Sequence, residues 1–209
     1  MSSRFSVLLL LSIAAGIVLA QRAELVVTPN DPYFKYQITF QNPGGSLRLP
    51  ETSYWSAQVE YATNAGLDLD LVHAWAITTG SKQVVVALLD DGFFYQHEDV
   101  KDNIWHNPGE SGADAKGLSK ETNGVDDDHN GYVDEVVGWD FAFNDPDPDA
   151  YVFDGMDSSR IQPFWHSMSA MGIIGAKGNN NVGVAGINWD VSMMLLKIGA
   201  QGSSEIRLI

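Results

Sequence analysis

VVVALLDDG, the stretch from Val84 to Gly92, is an apolar run that ends abruptly in two carboxylates and a glycine. The residues Val84 to Leu89 show no polar alternation, which is typical of a buried parallel strand with helices on both faces. Ligand and catalytic groups in such sheets lie just past the carboxyl ends of the strands. Asp90 is therefore the first candidate for chemistry, the alternative being that Asp90 and Asp91 only turn the chain.

The remaining pattern predicts a strand, a helix and a second strand joined by long loops. A turn-rich arm at Pro29–Gln37 and Asn42–Gly45 and a short helix within Gly66–Ile77 precede the strand. The segment from Phe93 to Asp157 is mostly loop, followed by a helix at His166–Ala176 and a strand at Ser192–Ile198. This order predicts an α/β fold with a parallel sheet.

The first twenty residues, 1–20, have the plan of a secretory signal peptide. Arg4 precedes an apolar core from Val7 to Leu19, and the small Ala20 precedes a cleavage point before Gln21. The apolar run is too short to span a bilayer. We therefore expect a mature chain that begins at Gln21, is secreted to the extracellular space and is not in a membrane.

Charge and cysteine content restrict the partners and the source of rigidity. The formal net charge is −15, and removing the signal with Arg4 leaves −16, so nucleic acid and anionic membranes are excluded as partners. Because the chain has no cysteine, metal ions or a large core must stabilise it outside the cell. Of its 27 acidic residues, 19 lie between Asp90 and Asp157, mixed with Asn and Gly, which favours cation binding.

One acidic loop, DDDHNGYVDE, carries oxygen side chains at alternate positions and a glycine at the sixth. Such spacing can wrap one calcium ion. The candidate ligands are Asp126, Asp128, Asn130, Tyr132 through its carbonyl, and Asp134. Position twelve is Val137, so the glutamate of an EF-hand is absent, and Asp140 would need a bent loop to replace it. The alternative is an acidic surface turn.

Four segments together resemble a known family. They are WAITTGSKQVVVALLDDGFFYQHEDV, NGVDDDHNGYVDEVVGWDF, a helix that opens with histidine, and NNNVGVAGINWDVSMMLLKI. In this order they resemble the amino-terminal part of the catalytic domain of the subtilisin-like serine proteases, the subtilases (peptidase S8). The resemblance implies that residues 21–209 form a partial subtilase domain with a parallel-sheet subtilisin-like fold, incomplete at its carboxyl-terminal side.

The resemblance also implies an activity, serine endopeptidase, with peptides or proteins as substrates. Asp90 matches the aspartate of the Asp-His-Ser triad and His166 matches its histidine, while the serine lies beyond Ile209. Asp91, Ser167 and Ser169 differ from the residues usual in the family. The alternatives are therefore a non-catalytic, calcium-binding pseudoprotease and an inactive fragment.

A second calcium site is implied by the same resemblance. Asp99 and Asn180, with the carbonyls of Val182, Val184 and Gly178, match a calcium-binding loop of the family. Gln37 or Asp31 would supply the amino-terminal ligand, and the alternative is an ordinary turn after a helix. A sheet built from only the first strands would also leave an apolar edge and one face exposed, so we expect the isolated chain to fold poorly.

Overall fold

The structure is a computed structural model that describes residues 25–48, 60–150 and 165–199. Its helices and strands are β1 (Gly45–Arg48), β2 (Glu60–Thr63), α1 (Leu71–Ala74), β3 (Gly80–Asp90), β4 (Gly138–Asp140), α2 (Trp165–Gly175) and β5 (Asp190–Lys197). Short 3-10 turns lie at Phe34–Tyr36, Lys101–Asn103 and Lys120–Thr122. The predicted signal peptide, 1–20, lies outside the described residues. Among the residues described, no helix combines the length and the apolarity that crossing a membrane requires.

The central sheet has the strand order β3-β5-β4, and all its pairs are parallel. Asp90 at the end of β3 and Asp140 at the end of β4 are both in register with Lys197 at the end of β5. The carboxyl ends of the three adjacent strands therefore place three charged side chains at the same edge of the sheet. A separate antiparallel pair, β1 and β2, precedes it.

The predicted strand, helix and strand are confirmed as β3, α2 and β5, and the helix expected within Gly66–Ile77 is confirmed as the shorter α1. Strand β4 was not predicted, because it has three residues and lies inside the acidic loop. Gly138 makes its pairing possible. Its φ is 143°, and a Cβ there would lie 1.7 Å from the carbonyl oxygen of Leu195.

The prediction that both faces of Val84–Leu89 are covered is wrong for the residues that the structure describes. Val85 and Leu89 are 46% and 58% exposed, whereas Leu88, which points the other way, is 5% exposed. Among the described elements, β3 lies at the edge of the three-stranded sheet, and α2 packs against the face that bears Leu88.

Two apolar clusters hold the described parts together. The larger lies between α2 and the sheet and includes the fully buried Met171, Met193 and Leu195. The smaller joins the amino-terminal arm to the start of β5, where the rings of Trp75 and Trp189 lie 4.9 Å apart. The first cluster fixes α2 over the sheet, and therefore fixes the direction of residues in the first turn of that helix.

Asn103 connects α2 to β5 through a buried amide. Its side-chain nitrogen donates to the carbonyl oxygens of Gly175 at 2.8 Å and of Trp189 at 2.9 Å, and the residue is fully buried. These two carbonyls belong to the end of the helix and the residue before the strand. Satisfying them removes a desolvation cost that would otherwise oppose packing.

Replacing Asn103 with alanine is therefore expected to lower the free energy of unfolding by about 1–3 kcal/mol, because two buried carbonyls lose their donor. Urea denaturation followed by circular dichroism measures the change. Asn64→Ala, which removes the same amide from an exposed position, serves as the matched control and should change stability by less than about 0.5 kcal/mol. Equal effects of the two substitutions would contradict this account of the buried amide.

Candidate active site

Asp90 and His166 lie 76 residues apart in the chain and form a direct side-chain contact. Nδ1 of His166 lies 2.7 Å from Oδ2 of Asp90. The Asp90 side chain is 11% exposed, whereas that of His166 is 84% exposed. The buried carboxylate therefore contacts Nδ1 of the ring, and the rest of the imidazole is exposed to solvent. This arrangement fixes the tautomer that carries its proton on Nδ1 and leaves Nε2 able to accept one.

Helix α2 places His166 in its first turn, directly above the end of β3. The helix lies close to β5 because Gly175 has no side chain, and a Cβ there would lie 2.7 Å from Cγ1 of Val191. Ser167, the next residue, is fully buried in the helix interface. His166 therefore lies on a helix, α2, that packs against the sheet along its apolar face and approaches β5 closely at its last turn.

A cleft of about 250 Å³ opens beside this pair. It is lined by Leu89, Asp90, Asp91, His166, Ile198 and Gly199. The backbone N–H of Asp91 donates to Oδ1 of Asp90 at 2.9 Å, so both carboxylate oxygens of Asp90 have partners. Burial, followed by the hydrogen bond and charge of Asp90, raises the pKa of the Asp91 carboxyl above its ordinary value. The cleft thus contains two carboxyl groups next to one imidazole.

An ion pair inside the protein supports the base of this cleft. Nζ of Lys197 lies 2.7 Å from Oδ2 of Asp140, and the two side chains are 3% and 0% exposed. The same ammonium donates to the carbonyl oxygen of Asp149 at 3.0 Å. Phe93, which follows the Asp90–Gly92 turn, bonds to this loop through the carbonyl oxygen of Pro148 at 3.0 Å. The loop after β4 is therefore fixed beside the residues that carry Asp90.

The structure brings Asp99 and the loop 178–184 together. Oδ1 of Asp99 accepts from the Asn180 amide at 3.0 Å, and Oδ2 accepts from the Val184 backbone at 2.9 Å. A Cβ on Gly183 would lie 2.2 Å from Oδ2, so the glycine allows the carboxylate to enter the loop. The backbone N–H of Val182 donates to Asn180 Oδ1 at 2.8 Å. The predicted residues therefore lie together, with the Asp99 carboxylate inside the loop, and their role as calcium ligands stays a prediction.

Both candidates for the amino-terminal ligand contact this loop. Asp31 accepts from the backbone of Asn179 at 2.7 Å, and Gln37 exchanges two hydrogen bonds with the backbone of Ala185 at 2.8 and 2.9 Å. Burial raises the pKa of Asp99, and the charge of Asp31 raises it further, against the hydrogen bonds from Val184 and Asn180. A bound cation would reverse that cost, because it favours the ionised form.

A second acidic cluster consists of Glu110, Asp128 and Glu135, whose oxygens lie within 4.8 Å of one another. Glu110 and Glu135 are 0% and 5% exposed, and each has one buried oxygen, Oε2, without a hydrogen-bond partner among the described residues. Burial raises the pKa of Glu135, and the charges of Glu110 and Asp128 add to that effect. Two unsatisfied carboxylate oxygens beside a third acid fit a hard cation such as calcium.

The amide of Asn107 completes this cluster, donating to Asp128 at 3.0 Å and to Glu135 at 2.7 Å. Of the ligands predicted in the loop, only Asp128 belongs to the cluster, and Asn130 contacts it through its amide. Sequence reasoning missed Glu110 and Glu135. The signal that could have found Glu110 is the acidic clustering, but Glu110 lies 16 positions before Asp126, the first ligand of that loop.

The remaining loop residues have other contacts. Asp126 accepts from the backbone of Gly131 at 2.8 Å, and Asp134 accepts from the backbone of Gly124 at 3.1 Å. The ring of Tyr132 packs against that of Trp139 at 4.8 Å. These side chains shape the loop around the cluster, and their role as ligands stays a prediction.

A comparison with protein families gives a match to the subtilase family over residues 81–209. The chain belongs to the subtilase family. The match covers both members of the Asp90–His166 pair and most of the described sheet, which confirms the resemblance inferred from the sequence and the α/β fold class.

Curated relatives agree with this family. The chain is 34% identical over 165 residues to subtilisin-like protease 1 of Plasmodium berghei, a match that covers 76% of this chain and 24% of the relative. It is 25% identical over 164 residues to neuroendocrine convertase 2 of Bos taurus, covering 78% of this chain and 18% of the relative. This subtilase chain therefore spans about a quarter or less of the length of these relatives.

A solved structure supports the fold. The crystal structure of a serine protease from Aeromonas sobria in complex with its chaperone matches 85% of this chain and 21% of its own chain, with a TM-score of 0.53 and 21% identity. At this identity the match concerns the fold alone.

Proposed function

We propose that this chain forms part of a secreted, calcium-stabilised serine endopeptidase in which Asp90 and His166 are two members of the catalytic triad. The 2.7 Å contact between His166 Nδ1 and Asp90 Oδ2 carries the proposal. Asp90 keeps the ring proton on Nδ1, so Nε2 accepts the proton of a serine hydroxyl as that oxygen attacks the peptide carbonyl. Asp90 then stabilises the imidazolium, and the imidazolium returns the proton to the leaving amine.

The serine would come from a part of the protein outside the described residues. Ser167 is fully buried, and Ser169 lies on the same helix as His166, so neither is placed to act as the nucleophile. The exposed side of the imidazole and the adjoining cleft leave room for another segment to approach. Peptides and proteins are the proposed substrates.

The test starts from the longest protein that contains this chain, isolated from the culture medium of the organism that produces it. This protein is treated with a fluorophosphonate, which labels activated serines. We expect labelling and peptide hydrolysis, both lost in His166→Ala. Labelling that is independent of His166 would reject the assignment. A secreted protein that binds calcium but is neither labelled nor hydrolytic would instead support the pseudoprotease alternative.

We further propose that calcium binds in two places. Glu110, Asp128 and Glu135 would hold one ion, and Asp99 with the loop around Asn180 would hold the other. The bound ion would supply positive charge that compensates these buried carboxylates. The chain has no disulfide, so ions that connect distant loops would provide its rigidity.

A further inference from the structure

We propose that Asp140 is a positioning residue for the Asp90–His166 pair, because it holds the ammonium group of Lys197 and so keeps that group from pairing with Asp90. Without this counter-charge, Lys197 would compete with the imidazole of His166 for the Asp90 carboxylate. The inference rests on the proposed function, since it assumes that Asp90 and His166 act in catalysis. It concerns a buried ion pair that the triad chemistry does not itself use.

The three charged side chains lie on the same face of the sheet. Asp90 and Asp140 are both in register with Lys197, whose strand lies between theirs. Side chains in register on adjacent parallel strands point to the same face. Leu195, two residues before Lys197, is fully buried in the cluster that α2 forms with the sheet. Lys197 therefore lies on the face from which α2 presents His166 to Asp90.

Lys197 has a carboxylate on the neighbouring strand at each side. Adjacent strands lie about 4.8 Å apart, and the flexible four-carbon stem of a lysine lets its ammonium turn toward either of them. In the structure Nζ of Lys197 lies 2.7 Å from Oδ2 of Asp140, with the two side chains 3% and 0% exposed. Because the pair is buried, solvent ions screen it little. The positive charge of Lys197 is therefore directed to Asp140.

The loop after β4 fixes Asp140 in this position. Oδ1 of Asp140 accepts from the backbone N–H groups of Ala142 at 2.8 Å and of Phe143 at 3.0 Å, while Oδ2 lies next to Lys197. The same ammonium donates to the carbonyl oxygen of Asp149 at 3.0 Å and lies 4.8 Å from the centre of the Phe143 ring. The carboxylate, the carbonyl and the ring around this ammonium therefore all belong to β4 and the loop that follows it.

Asp90 is left to hold the imidazole. Its Oδ2 lies 2.7 Å from Nδ1 of His166, and its Oδ1 accepts from the backbone N–H of Asp91 at 2.9 Å. The His166 side chain is 84% exposed, whereas that of Lys197 is buried. A buried ammonium without a counter-charge gains more from a carboxylate than an imidazole that water can reach. If Asp140 lost its charge, Lys197 would therefore displace His166 from Asp90.

The first test compares Asp140→Asn with the double variant Asp140→Asn/Lys197→Met in the longest protein that contains this chain, labelled with ¹⁵N-histidine. The ¹⁵N NMR signals of the His166 ring, assigned with His166→Gln, show which ring nitrogen carries the proton. We expect Nδ1 to carry it in the wild type and this preference to be lost in Asp140→Asn. The double variant should regain it, because no ammonium remains to compete. A double variant without the preference would show that Asp90 needs the ion pair itself, which would overturn the proposal.

The second test is the turnover of a peptide substrate by the same proteins. Asp140→Asn should lower kcat by about a hundredfold, the cost of misplacing a catalytic group by about 1 Å, and the double variant should regain most of that loss. The control Asp102→Asn/Lys101→Met makes the same changes at exposed positions and should stay within about twofold of wild type. Wild-type kcat and ring signals in Asp140→Asn would reject the positioning role.

Circular dichroism separates these effects from unfolding, because removing one partner of a buried ion pair is destabilising, whereas replacing both with neutral side chains is often tolerated. If only one of the two variants folds, it decides alone: Asp140→Asn by loss of the Nδ1 preference, the double variant by its retention. If neither folds, the pair serves the fold and the proposal is rejected. If the wild type hydrolyses no peptide, the proposed function fails, whereas the ring signals still show whether Asp140 protects the contact between Asp90 and His166.

Discussion

Replacing His166 with alanine is expected to reduce peptide turnover by about a millionfold, the loss measured on removing the catalytic histidine of subtilisin, a member of the same family. The physical reason is that the nucleophilic hydroxyl loses its general base and the leaving amine loses its acid. Asp90→Asn should cost less, about ten-thousandfold, because it leaves an imidazole in place but in the wrong tautomer. The measurement is kcat for a peptide substrate of the protein that carries this chain.

The order of these two losses distinguishes catalysis from simple unfolding. His106→Ala and Asp102→Asn make the same chemical changes at exposed positions and should leave kcat within about twofold of wild type. Circular dichroism of each variant checks the fold. Equal losses in His166→Ala and Asp90→Asn, accompanied by loss of structure, would indicate that the pair is structural. Unchanged turnover in His166→Ala would remove it from the mechanism.

The pairing of Asp90 with His166 was predicted from the resemblance to the subtilases, whose triad motifs these two residues match. The apolar strand that ends in a carboxylate pointed by itself only to Asp90. The burial of that strand could not be predicted in the same way. An apolar run shows that a surface is suited to burial, but among the described residues α2 packs on the face of β3 that bears Leu88, so Val85 and Leu89 on the other face stay exposed.

The acidic loop shows why the candidate metal ligands were harder to predict. Alternate positions converge on one ion only if the backbone follows a regular turn. Here His129 and Asp134 adopt left-handed conformations, with φ values of 62° and 59°, which turn neighbouring side chains in other directions. Glu110 joins Asp128 and Glu135 from a distant part of the chain. No periodicity links these positions, so only the folded loop brings them together.

Calcium is expected to raise the melting temperature of the protein that carries this chain. Glu110→Gln combined with Glu135→Gln should remove most of the rise in melting temperature that is due to calcium at the Glu110, Asp128 and Glu135 cluster. For an ion at about a thousand times its dissociation constant, binding adds about 4 kcal/mol to the free energy of unfolding. That corresponds to a rise of about 8–16 °C for a chain of this size. The substitutions keep the shape of the side chains but remove the two charges that the cation would compensate. Thermal melting by circular dichroism, in chelator and in about 10 mM calcium, measures the difference.

Three comparisons make this result specific. Glu121→Gln removes an equivalent charge from an exposed position near the loop and should keep the calcium response. Asp99→Asn should remove only the contribution of the other site, because Asp99 contacts the Asn180 loop and not the Glu110 cluster. Calcium stoichiometry by equilibrium dialysis should fall by one in the double glutamine variant and by one in Asp99→Asn, and it should be unchanged in Glu121→Gln. If the double glutamine variant binds as many ions as the wild type, the unsatisfied oxygens of Glu110 and Glu135 do not mark a calcium site, and Asp126 and Asp134 become the residues to substitute next.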